Sequence, residues 1–147
     1  MHKKSIIISI ILLAILIGGW YGYSEYNRKV KNLSSVTADF NLSGNQLLSE
    51  FEANEPSANQ KYLGKIVAVS EVLRSVEVND NGNYFLILGP ENSMSSIRCS
   101  MDSTMHEEVK SLVNASVVRI KGVCTGFNSD ELLGSDIILN RCVIELN

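Results

Sequence analysis

Residues Ile6 to Tyr23 form a run of eighteen without a charge, and this run constrains the chain more than any other feature. Fourteen of them are Ile, Leu, Ala, Trp or Tyr; the others are Ser9, Gly18, Gly19 and Gly22. Lipid offers no partner to backbone N–H and C=O groups, so such a run crosses a bilayer as a helix. A helix of this length rises about 27 Å, close to the hydrocarbon thickness. Lys3 and Lys4 precede it; Trp20, Tyr21, Tyr23 and Tyr26 follow as an interfacial aromatic belt, with Arg28, Lys29 and Lys31 at headgroup level. A cleaved signal would end at a small-x-small site. Here the run ends in Gly-Gly-Trp-Tyr, which suits cleavage poorly, and no cysteine follows to carry a lipid. Residues 1–24 therefore read as an uncleaved anchor, and residues 25–42, polar and weakly periodic, as a juxtamembrane linker.

This division changes the meaning of the net charge of −3. Residues 1–32 hold five Lys+Arg and one Glu, net +4; residues 33–147 hold eight Lys+Arg and fifteen Asp+Glu, net −7. A basic-flanked anchor thus carries an acidic body. Basic residues lie on both sides of the span, so the positive-inside rule is close to a tie. The three cysteines favour an extracytoplasmic body, where thiols can oxidise.

Within residues 43–147 the pattern is helical first and then alternating. Ser43 followed by Gln46 fits a capping box, with Leu47, Leu48 and Phe51 on one face. Pro56 suits the first turn of a second short helix that turns Ala58 and Tyr62 inward. From Lys65 to Val78 the period is two. Val67, Val69 and Leu73 share one parity, Val72, Val76 and Val78 the other, so a bulge is expected between Ser70 and Ser75. Asn79-Asp80-Asn81-Gly82 is a hairpin turn, Asn83 to Leu88 a second strand, and Ile97, Cys99 and Met101 the dry side of a third. Thr104 and Glu107 suggest a capped helix to about Leu112, with Met105, Val109 and Leu112 inward. Ser116 to Phe127 reads as a fourth strand, Asn128 to Ser135 as a loop, and Asp136 to Leu146 as a fifth strand with Ile138, Cys142, Ile144 and Leu146 on one parity. The expected fold is mainly β: a five-stranded OB-fold Greek-key barrel with a helix between strands three and four, preceded by the anchor and a short helical segment.

If strands four and five pair with Val123 opposite Val143, Cys124 faces Cys142 and Phe127 faces Leu139. That register predicts a Cys124–Cys142 disulfide, with Cys99 the competing partner for Cys142. Cys99, Cys124, Cys142 and His106 lack the short spacings of a zinc site, and the Asn79–Gly82 stretch lacks the final Glu of a calcium loop. There is no phosphate-cradling glycine motif and no nucleophile with an orienting base. The expectation is no metal, no cofactor and no enzymatic activity.

The stretches Asn54-Glu55, Ala58, Tyr62-x-Gly64-Lys65, Gly82-Asn83-Tyr84, Ile97-Arg98-Cys99, Lys121-Gly122-x-Cys124-Thr125-Gly126-Phe127 and Leu139-x-x-Cys142-Val143-Ile144 resemble the bacterial tRNA_anti-like OB-fold family from about Leu47 onward. The resemblance implies a small, amino-terminally anchored protein of a bacterial cytoplasmic membrane, single-pass. The family pattern places a glycine where this chain has Glu71. OB barrels bind strands through stacking aromatics and cations, which makes Tyr84, Phe85, Arg98, Arg74 and Lys121 the candidate ligand face, with Arg119 beside them. The −7 body argues against a polyanion. The leading expectation is an extracytoplasmic OB module for an unknown protein or envelope partner, and the alternative is a single-stranded nucleic-acid binder.

Overall fold

The computed structural model describes residues 17–20, 33–130 and 134–145. The chain divides into two compact units, Met1–Lys31 and Asn32–Asn147. Of the first, residues 17–20 are described; they are helical and exposed. The expected span Ile6 to Tyr23 otherwise lies outside the described residues, among which no helix is long and apolar enough to cross a membrane.

The second unit is a mainly β, OB-fold-like sheet with short helices. Its elements are β1 (Phe40–Ser43), α1 (Gly44–Ala53), α2 (Glu55–Tyr62), β2 (Ile66–Val78), β3 (Tyr84–Leu88), β4 (Ser96–Met101), α3 (His106–Lys110), β5 (Val117–Asp130) and β6 (Gly134–Ile144). The sheet order is β1-β2-β3-β4-β6-β5, and β5 pairs back onto β2. Five strands thereby close on themselves, which removes most exposed edges. β2 can serve two neighbours because it is long and bent. Residues 66–72 pair with β5, and residues 73–78 pair with β3 across a register shift between Leu73 and Ser75. The expected bulge is thus present, and it turns Val76 inward after Leu73.

Local chemistry explains the elements. Ser43 caps α1, its Oγ accepting from Gln46 N at 3.2 Å, while the Gln46 side chain reaches Glu50 and does not return to Ser43. Asn54 caps α2, and Pro56 stands in its first turn. The Asn79 carboxamide oxygen accepts from both Asn81 and Asn83 N–H, and Gly82 has φ 78°, so the hairpin turn forms as expected. Thr104 does not cap α3. Asp102 accepts from Thr104 N and Oγ1 instead, and the helix starts two residues later. Leu47, Phe51, Tyr62, Val67, Leu73, Leu86, Leu88, Ile97, Ile120 and Leu139 fill the barrel core.

Three further expectations are corrected. Residues 33–42, read as linker, are partly folded: Leu33–Ser35 forms a 3-10 turn with Leu33 buried, and Phe40 begins β1, which pairs in parallel with β2. The cause is an outer face of the barrel that would otherwise be wet. Ala68, Lys121 and Val143 lie side by side across β2, β5 and β6, all buried, and Lys121 Nζ donates to Ser34 O of this strap. The second correction concerns β6. Ile137 and Leu139 point inward, not Ile138, and the phase flips at Arg141, whose φ is 56°. Beyond that bulge Cys142 and Ile144 face the core as expected. The expected loop Asn128 to Ser135 is mostly a ribbon, since β5 and β6 stay paired from Gly126 to Asp130.

Candidate binding face

Alternation on β3 separates two neighbouring aromatics. Tyr84 turns toward the core rim, where its ring meets the His106 ring edge-on at 5.0 Å. Phe85 turns outward. Register places Glu77 and Ser100 on either side of Phe85, and Arg98 opposite Ile87 one step along. The Arg98 guanidinium lies 5.2 Å from the Phe85 ring centroid, and its Nη2 donates to Glu77 Oε2 at 2.8 Å. Both charged side chains are over 40% exposed, so the ion pair contributes little stability, roughly 0–1 kcal/mol. Its consequence is electrostatic: the outward cation of this face already has a carboxylate.

The other candidates are committed elsewhere. Arg74 sits at the β2 bend, and its Nη2 donates to Pro90 O at 2.6 Å and Ser95 O at 3.0 Å, bracing the β3–β4 connection. Arg119 donates through Nε to Glu145 at 2.7 Å and through Nη2 to Asn41 Oδ1 at 2.6 Å, tying β5 to β1. Lys121 is only 4% exposed; its Nζ meets Glu145 Oε1 at 2.9 Å and Ser34 O at 3.4 Å. Burial works against the Glu145 charge, but hydrogen bonds from Lys121 and Arg119 outweigh it and hold that carboxyl below its usual range. Of the five residues proposed for one face, the structure brings Phe85 and Arg98 together. Glu77 and Glu145 were missed. Glu77 was readable by counting back across the hairpin turn; Glu145 was not, because the bulge at Arg141 sets its register.

The cysteine register is also corrected. Lys121 pairs with Val143, Val123 with Asn140, and Cys124 with Leu139, with shifts between 121 and 123 and between 124 and 126. Cys124 therefore does not face Cys142. All three thiols are free and buried. Cys142 neighbours Cys99 instead, and burial, with that thiol beside it, pushes Cys142 well above the ordinary thiol range. Among the described residues no group of three or more His, Cys, Asp or Glu is placed to hold a metal ion.

Glu71, where the resemblance led one to expect glycine, has its own place. It is buried on β2, and its Oε2 accepts from Asn45 N at 3.1 Å at the start of α1. A Cβ at Gly44 would lie 2.9 Å or less from three Glu71 side-chain atoms, so Gly44 makes the room that Glu71 occupies.

A closed five-strand barrel with a helix after its third barrel strand defines a small OB-fold domain. The chain belongs to the tRNA_anti-like family, whose model matches residues 1–142. Among solved structures it is similar to a "putative nucleic acid-binding lipoprotein" from Klebsiella pneumoniae, at 23% identity and a TM-score of 0.56, over 72% of this chain and 91% of that one. It also matches an OBody bound to hen egg-white lysozyme (14% identity, TM-score 0.44, 57% of this chain and 84% of that one). A third match is an aspartyl-tRNA synthetase from Entamoeba histolytica (16%, 0.38), with 57% of this chain aligned to 19% of the enzyme. No curated protein matches the chain significantly.

Proposed function

We propose that this protein is a membrane-anchored, non-enzymatic OB module that faces the extracytoplasmic space and binds a polypeptide or other envelope partner. The observation that carries the reading is the commitment of its cations. Arg98 pairs with Glu77, Arg119 and Lys121 with Glu145, Lys61 with Glu50 and Lys110 with Glu107, while Arg74 is held by loop carbonyls. Binding a phosphate backbone releases counterions only where cations are free to replace them. Here five of these already sit beside a carboxylate, in a body of net charge −7. The apolar run Ile6 to Tyr23 supports anchoring, as does the lipoprotein name of the Klebsiella relative.

The name of that relative also keeps the alternative, a single-stranded nucleic-acid binder using Phe85 and Arg98. The full-length protein in lipid nanodiscs, titrated with labelled single-stranded DNA and RNA, separates the two. We expect no salt-sensitive binding at micromolar protein. A micromolar Kd that weakens steeply with salt and is lost in Phe85→Ala would establish the alternative.

A further inference from the structure

We propose that the groove between the α1–α2 elbow and the β5–β6 ribbon docks a basic, extended segment of a polypeptide partner. The inference rests on reading the domain as a polypeptide-binding module, and it names a second surface, away from Phe85. The groove encloses about 460 Å³, within the range of about 300–1,000 Å³ common for ligand pockets. Its floor is an aromatic pair, Phe51 against Phe127 with ring centroids 5.0 Å apart. One wall is the elbow at residues 52–56, the other Ser129 and Ser135 of the ribbon.

Three features define the occupant. The first is charge. Glu52 and Glu55 stand on the rim, and none of the lining residues is basic. The Ser95 hydroxyl donates to Glu52 Oε1 at 2.7 Å, so that carboxylate is already oriented. The second is the helix end. α1 terminates here with no basic residue in its last turn, so the partial negative charge of its final carbonyls is left to an incoming cation. α2 begins beside it, but Glu55 in its first turn offsets the partial positive charge of that helix. The third is the shape of the ribbon. β2 pairs with β5 only as far as Val123, and beyond Cys124 the described strand β5 has β6 as its single partner. Asn128 and Ser129 are exposed along the remaining edge. An unpaired edge beside a groove accepts extended backbone, with the groove taking alternate side chains. A lysine or arginine stem would cover the aromatic floor and bring its charge to the rim.

The test uses the full-length protein in nanodiscs and short fluorescein-labelled peptides of alternating lysine and valine, with a glutamate–valine control. The lysine peptide should bind and the glutamate peptide should not. Glu52→Gln/Glu55→Gln should weaken binding roughly tenfold, whereas Glu107→Gln/Glu108→Gln on α3 should leave it within about twofold. Ser129→Lys, which supplies a cation from the opposite wall, should mimic the loss and guards against misfolding of the double variant. Equal loss in the elbow and α3 variants, or no binding of the lysine peptide, overturns the groove. Labelled oligonucleotides in the same buffer keep the two readings apart. If they also fail to bind, the module reading survives the loss of the groove; salt-sensitive oligonucleotide binding removes the module reading itself.

Discussion

At the scale of single residues, Gly122 is held tightly against Cys142. A Cβ at Gly122 would lie 2.5 Å from Cys142 Sγ and 3.2 Å from Leu139 Cβ. Gly122→Ala should therefore destabilise by about 1–3 kcal/mol through overpacking. Adding Cys142→Ala should recover part of that loss, a coupling that a urea double-mutant cycle reads directly. The same neighbourhood decides the thiols: denatured protein alkylated without reduction should yield modified Cys124, and no peptide linking Cys124 to Cys142. Individual roles were unevenly legible in the sequence. Arg98 was named from the sequence, but Tyr84 and Phe85 were both named for the face, and adjacent strand residues point to opposite sides. The burial of Lys121 does not follow from alternation, because what covers it comes from residues 33–35, far away in sequence and read as linker. The cysteine register failed for a related reason, since it assumed an unbroken ladder and the ladder has two shifts.

Among the elements, the strap of residues 33–43 depends on Glu145. The folded-state pKa of Glu145 lies below its ordinary value, so its contribution is present above the usual carboxylate range, near pH 4. It is lost as the pH falls through the folded value. Acid should loosen the strap first, and Glu145→Gln should reproduce that loosening at neutral pH, read as faster amide exchange at residues 34–43 with β3 unaffected. The two partners are unequal in burial, with Lys121 5% and Glu145 29% exposed at the side chain. Glu145→Ala strands a buried ammonium and should cost about 2–3 kcal/mol, while Lys121→Met should be nearly neutral. Urea melts compare them. Strand identities and the β2 bend were readable from periodicity, whereas the parity of β6 was not. A single residue at positive φ, Arg141, reverses it, and arginine carries no signal for that conformation.

For the whole molecule, charge and placement belong together. Reporter fusions at the C-terminus test the placement: an active periplasmic reporter and an inactive cytoplasmic one are expected, and the opposite pattern overturns it. The split of −3 into a basic lead and an acidic body was fully legible from the residues. What composition could not disclose is that Arg98, Arg119 and Lys121 are spent on internal pairs, which depends on register.

The strap also sets an order of events during synthesis. Residues 33–43 leave the ribosome before any other part of the folded unit, yet the carboxylate that Arg119 and Lys121 share beneath them lies just past the end of β6. Until Glu145 is in place, Arg119 and Lys121 have no acidic partner there and the outer face at Val143 does not exist. β1 can pair with β2 early, but Leu33–Ser35 at its amino-terminal side is among the first segments made and the last secured. A nascent chain halted anywhere before β6 presents an open barrel, which is closed only by that strand.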